Sequence, residues 1–397
     1  MSSISDFFKK GKPRIFSCGE ERSSSKAARL RNKVMIWTMA AMTVAASVGC
    51  SQSTLSSVFN STQTEQADAH ASGFHAAMQN NDLTLNIDNS VKGSQRASVK
   101  KLFNEALQTK TGRSVLVPFM EHGGVITVQK GMGETFGYYN PSKNTICLNA
   151  EALTSVKGKG RIKTTLVHEA AHAKQNYAGL GVSSSSNAGM AFRLARAMEA
   201  DAHMHEVFAA DELAAKGDSS ALQAIRGDLP QMVSAFEQAR KAGKSDAETA
   251  KETMLGYYKN TKLMKAYDAK YVESLENVVN KVGKTNAQKQ LQGSMSPSEI
   301  AAKTCVLNGE SYLGKDGGAI LCDSLCNNVS EQVYASLELA SHQHAIRLKQ
   351  SGVSVNADTS YQSFHVRQKD GTYRSPEKSI SAGTYKVASL AKEKGGR

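Results

Sequence analysis

In a chain of 397 residues, the eleven at 164–174, Thr-Thr-Leu-Val-His-Glu-Ala-Ala-His-Ala-Lys, do most to limit what the fold can be. No proline interrupts them, and on an α-helix residues four apart stand one turn above the other on a single face. His168 and His172 are such a pair. Two neutral imidazoles so placed can close on one Zn²⁺ at about 2.0–2.1 Å each. Glu169 points about 100° round the helix from His168, so it can reach a water on the metal rather than the metal itself, as a general base must. The neighbouring positions Val167, Ala170, Ala171 and Ala173 are uncharged. The competing reading is an exposed helix that carries two unrelated histidines.

A catalytic zinc site needs a third protein ligand and one open position. A continuation as His-x-x-Gly-x-x-His would supply another histidine, but Gln175 and Ala178 occupy those places. The next candidate stretch, Arg193–His203, also reads as helix. Its Glu199 lies 27 positions after His172, enough for a loop and a second helix packed antiparallel to the first. Glu199 is the chosen third ligand. Asp201 or His203 could replace it, since the sequence does not fix which face looks inward.

Around these helices the sequence predicts an α+β chain. Residues 51–96 are rich in Ser, Gln, Asn and Thr and read as a polar tether, with one weak strand at Leu83–Ile87. The folded part runs from 97 to 283. Helical spacing over Ser98–Lys110 is expected to end at Gly112. Short β-branched runs at Val115–Val117 and Val125–Gln129 read as strands, and Phe136–Tyr139 with Thr145–Leu148 reads as a hairpin about Asn140-Pro141-Ser142-Lys143-Asn144. Gly158 and Gly160 lead into the motif helix. Helices follow at His203–Lys216, Ser219–Arg226, Pro230–Ala242 and Asp246–Val282, with Ser245 and Glu248 as a capping box. A helical C-terminal part at 284–350 opens on a linker and a second box, Ser296-Pro297-Ser298-Glu299. Residues 351–397 are polar and basic and predict a weakly ordered tail.

The order of helix, strands and motif helix resembles the zincin metallopeptidases, specifically the branch with a glutamate ligand. The residues that carry the resemblance are His168–His172, the Gly-x-Tyr…Asn-x-Ile-x-Leu character of Gly137–Leu148, and Glu199-Ala200-Asp201-Ala202. The last stretch also resembles a group of uncharacterised bacterial metallopeptidase domains. The likeness covers about residues 97–280. It implies a small twisted sheet packed on the His-Glu-x-x-His helix, with its edge strand open to an extended peptide. It implies Zn²⁺ on His168, His172 and Glu199, with Glu169 activating water. The tyrosine or histidine that steadies the oxyanion in this branch has five candidates here: Tyr177, His203, His205, Tyr257 and Tyr267.

Formal charge is +13, concentrated at the start: residues 1–33 hold nine Lys/Arg against Asp6, Glu20 and Glu21. The rest lacks the clustered basic patch with interleaved aromatics that nucleic-acid binding requires, so no nucleic-acid partner is expected. The uncharged run 34–50 follows the basic stretch directly and resembles a secretory leader. Its end, Ser-Val-Gly-Cys, resembles a lipoprotein processing site with lipid on Cys50, departing at Ser47 where an apolar residue is usual. An uncleaved anchor and a plain cleaved signal are the alternatives, and residues 1–50 are assigned to this leader. All three send the bulk of the chain out of the cytoplasm, tethered to a membrane of the cell envelope or secreted. In an exported domain Cys305 would pair with Cys322 or Cys326, and His342-x-His344 is expected to lie on the surface. The sequence thus predicts a zinc-dependent hydrolase of peptide bonds. An envelope-attached scaffold with a structural or inactive zinc site, or a secreted effector protease, is the alternative.

Overall fold

A computed structural model of the protein describes residues 84–181, 187–281, 295–350, 352, 358–368, 370 and 372–374. The leader, Cys18 and Cys50 lie outside the described residues, and among those described no helix is long and apolar enough to cross a membrane. The expected α+β class holds, with a small mixed sheet and a mainly helical body.

The sheet contains β1 (Asn86–Ile87), β2 (Val125–Gln129), β3 (Gly137–Asn140) and β4 (Thr145–Asn149) in the order β1-β2-β4-β3. β1, β2 and β4 are parallel, and β3 pairs antiparallel to β4 with Tyr139 opposite Ile146. The β3–β4 hairpin forms where its turn residues predict. Asn144 adopts a left-handed φ of 47°, and its side chain accepts from the hydroxyls of Tyr139 and Tyr177.

One expected strand is a helix. Val115–Val117 belongs to α2 (Lys110–Glu121), which follows α1 (Gly93–Leu107) almost without a break. The buried positions Val115, Leu116, Phe119 and Met120 recur at helical spacing, and the Thr109 side chain caps the first turn by accepting from Gly112 N–H. That tertiary face outweighs the β-branched composition of three residues. Gly112 therefore opens a helix rather than closing one. A Cβ there would lie 2.1 Å from the Ala106 carbonyl oxygen, so only glycine lets α2 turn off α1 this tightly.

α3 (Ala150–Thr154) leads into the motif helix α4 (Val156–Tyr177), capped by Ser155. Gly158 and Gly160 lie inside α4, not ahead of it. The reason is contact: a Cβ on Gly160 would come within 2.4 Å of the Ser220 carbonyl oxygen of the neighbouring α6 (Ser220–Asp228). α5 (Ala188–Ala215) runs through the middle and is buried on nearly every side. Such a helix cannot be amphipathic and must find partners all round. α4 covers one side, where Ala170, Ala171 and Ala173 share a core with Ala202 and Ala209. On another side lie α6, α7 (Pro230–Lys241) and α8 (Asp246–Lys259).

The single helix expected over Asp246–Val282 is two. Asn260, at ψ 84°, breaks it, and its side chain then accepts from Leu263 N–H to start α9 (Thr261–Lys281). Beyond residue 295 come α10 (Pro297–Thr304), with the capping box expected at Ser296, the β5–β6 hairpin (Val306–Leu307, Glu310–Ser311), α11 (Gly317–Cys322), β7 (Asn328–Val329) and α12 (Glu331–Gln350). Ile300, Ala301 and Leu321 join the core around α5.

The start of the presumed tail is ordered against the same helix. Asp358 and Ser360 accept hydrogen bonds from the N–H groups of Ala188 and Gly189, capping α5 from a distance of 170 residues, and Tyr361, Phe364 and Val366 are buried. His344 is buried as well, because its position on α12 faces inward, so only His342 is exposed as expected. Cys147, Cys305, Cys322 and Cys326 are free thiols, so the expected bridge is not formed. Cys305 and Cys326 sit instead as small apolar groups in the core around α5.

Gly160→Ala should destabilise the protein by about 1–3 kcal/mol through overpacking against α6, although alanine is the better helix former by about 1 kcal/mol. Chemical denaturation of the two chains checks the sign, and a more stable variant would remove the close-contact explanation.

Candidate metal centre

α4 and α5 bring four predicted site residues to one place. His168 Nε2 and His172 Nε2 lie 3.0 Å apart. Glu199 Oε2 is 3.4 Å from the first and 3.6 Å from the second. Three donor atoms on a tetrahedral ion at about 2.0–2.1 Å would be separated by about 3.3 Å, so this triangle has the size such an ion needs. Glu199 Oε2 is buried and has no hydrogen-bond partner among the described residues. A lone carboxylate oxygen buried against two imidazole nitrogens is the donor set of a divalent metal, and the residues fit one.

The alternatives Asp201 and His203 point elsewhere. Asp201 Oδ2 accepts from Gln175 and Oδ1 from the Tyr312 hydroxyl. His203 Nδ1 lies 2.5 Å from Glu206 Oε2, and its Nε2 lies 3.3 Å from the Tyr267 hydroxyl. Two turns along α5 from Glu199, Glu206 occupies the same face. It approaches His168 Nδ1 at 3.5 Å and pairs with Arg161 at 2.5 Å. His168, His203 and Glu206 also form a compact donor group. The Arg161 guanidinium already neutralises that carboxylate, so the group reads as support for His168 rather than a second cation site. Gln175 supports the other histidine: its Oε1 is 2.9 Å from His172 Nδ1.

Sequence reasoning missed Glu206, Arg161 and Gln175 as members of the site. The spacing held a signal for each, since Arg161 and Glu206 lie seven residues from His168 and Glu199, and Gln175 three from His172. What it could not show was that these faces meet.

Glu169 lies off the triangle, as its place on the helix requires. Its Oε2 accepts from the backbone N–H of Tyr139 at 2.8 Å, on the free side of β3. Oε1 accepts no hydrogen bond among the described residues. Burial pushes the Glu169 carboxyl up, and the neighbouring His168 and His172 offset this only in part, so it stays above its ordinary value. Burial would lower both histidines, but the nearby Glu199 and Glu206 carboxylates hold His168 well above its usual value, and the Glu199 charge raises His172. Burial would likewise raise Glu199 and Glu206. His172 and His168 hold Glu199 far below the carboxylate range, and Arg161 does so for Glu206.

Two imidazoles and a carboxylate converging in the buried core of this α+β chain form a group that could hold a metal ion. Comparison with known families agrees. A family model described as "Putative metallopeptidase family (DUF6782)" matches residues 53–313, and the chain belongs to that family. The match takes in α4, α5 and Tyr312. No curated protein and no solved structure matches the chain.

In the metal-free protein the sign of the pH dependence follows from these shifts. Glu199, lowered from 4.5, contributes stability that is present above that pH and is lost on acidification. His168 and His172, raised from 6.5, contribute stability that is full below that pH and is lost as pH rises through their folded values. The thermal midpoint of the metal-free chain should therefore be highest between about pH 4.5 and 6.5. In Glu199→Gln both flanks should flatten, and superimposable profiles for the two chains would contradict the assignment.

Proposed function

We propose that this protein is a zinc peptidase of the zincin type, in which His168, His172 and Glu199 hold the ion and Glu169 is the general base. The triangle of donor atoms closed by the unpartnered Glu199 oxygen is the observation that carries the reading. Two histidines with a carboxylate favour Zn²⁺ among common divalent ions. When bound, the ion supplies a Lewis acid that acidifies water and polarises a peptide carbonyl.

The remaining chemistry belongs to the chain. Tyr139 N–H holds one oxygen of Glu169, leaving Oε1 to take the proton of the attacking water and return it to the leaving amine. In the metal-free chain burial pushes the Glu169 carboxyl above its usual value, the direction a general base working near neutral pH needs. The Tyr267 hydroxyl, beside His203 whose ring packs on that of His168, is our candidate for steadying the oxyanion. Tyr177 is committed to Asn144, and His205 to the Asp201 carbonyl. The basic leader, the apolar run and Cys50 support an exported, membrane-tethered enzyme acting on peptides or proteins.

Glu169→Gln should retain the full zinc content and lose at least about 10²-fold in turnover of an unbiased peptide library. Metal analysis and mass-spectrometric detection of the products check both, and equal turnover would rule the mechanism out. Zinc without Glu169-dependent cleavage would point to the scaffold reading. Tyr267→Phe should lower kcat by about 10²-fold with zinc content unchanged, as loss of one oxyanion donor does. An unchanged kcat in that variant would return the role to Tyr257 or His203.

A further inference from the structure

The proton on His172 is placed by groups that never touch the metal triangle. His172 Nδ1 faces Gln175 Oε1 at 2.9 Å. An amide side chain can present either end, so its orientation needs an independent argument. The argument lies on the far side of Gln175, where Nε2 is 3.0 Å from the Met198 carbonyl oxygen and 3.0 Å from Asp201 Oδ2. A backbone carbonyl only accepts, so the end of Gln175 against Met198 is the NH₂ and the end against His172 is the oxygen. An amide oxygen also only accepts. His172 Nδ1 must then carry a hydrogen, and in the neutral ring this leaves Nε2 with its lone pair beside His168 Nε2 and Glu199 Oε2.

Each part of this chain is held in turn. Gln175 and Asp201 are buried, at 3 % exposure each, so water cannot substitute for the missing bonds. Asp201 is kept in place by the buried Tyr312 hydroxyl at 3.1 Å, just after the β5–β6 hairpin. The line therefore runs from the segment after α10, through α5, to one imidazole of α4.

We propose that Gln175 is a positioning residue that holds His172 in its Nδ1-protonated form and so presents Nε2 to the metal, with Met198, Asp201 and Tyr312 fixing the orientation of its amide. The purpose of this arrangement rests on the zinc peptidase reading; the placement of the proton does not.

The test uses the full chain labelled with ¹⁵N-histidine. Its metal-free spectrum, recorded at a pH high enough for His172 to be neutral, should show that residue, assigned through its loss in His172→Gln, with hydrogen on Nδ1 and a bare Nε2. Gln175→Met, similar in volume but unable to accept, should populate the other tautomer and weaken Zn²⁺ binding by about 10–100-fold in a chelator competition. Leu180→Ala, a packing loss at a buried residue whose N–H bonds the Gln175 carbonyl, should lower the thermal midpoint while leaving the tautomer and the zinc affinity as they were. A neutral wild-type His172 with its hydrogen on Nε2 would overturn the proposal even if Gln175→Met fails to fold. Wild-type zinc affinity in Gln175→Met, or the same affinity loss in Leu180→Ala, would overturn it too. A chain with the expected tautomer and affinity loss that cleaves no peptide would refute the peptidase reading and leave the positioning role standing. A wild-type chain that binds no Zn²⁺ would refute both.

Discussion

The close approach of α4 to α5 is the constraint on which the rest depends. Alanines of both helices, Ala170, Ala171 and Ala173 with Ala202 and Ala209, are buried in one core. From α5 the Glu199 side chain reaches both His168 and His172 on α4. A bulky residue at any of those buried alanines would overpack that core and force side chains off their rotamers.

The price of that approach is charge in a dry place. His168, His172, Glu199, Glu206 and Arg161 sit together in the interior, and each is tolerated because of the others. Removing one partner from such a set leaves an uncompensated buried charge, which costs about 3–5 kcal/mol. The outer residues are therefore part of the site's chemistry. Glu206 with Arg161 sets the environment of His168, and Gln175 sets that of His172. Tyr139 adds a third restraint by tying Glu169 to the edge of the sheet, so the base is held by backbone while the ligand histidines are held by side chains.

Much of the local structure was legible, because local rules decide it. The hairpin about Asn144, the capping boxes at Ser245 and Ser296, and the helical setting of His168 and His172 all follow from a few adjacent residues. The failures occur where distant contacts overrule neighbours. Val115–Val117 has strand composition, but the core it faces demands a helix. Gly158 and Gly160 look like breakers and serve as close contacts. Asn260 splits a long helix, a break the apolar stripe along 246–282 conceals. The cysteines suggested a bridge because an exported domain would form one, yet the core around α5 holds Cys305 and Cys326 as free thiols. Asp358 and Ser360 cap a helix 170 residues away, which no window of sequence can reveal.

The amino-acid sequence by itself determined the chemistry on offer: two imidazoles one helical turn apart, a carboxylate beside them, and a second helix with Glu199, Asp201 and His203 as rival third donors. Helical period is a property of the chain, so those spacings needed nothing beyond it. Which donor turns inward was decided only in three dimensions. The rotation of α5 about its own axis is set by everything packed round it, from α6 to the segment carrying Tyr312. That rotation aims Glu199 at the histidines, turns Asp201 towards Gln175, and gives His203 to Glu206.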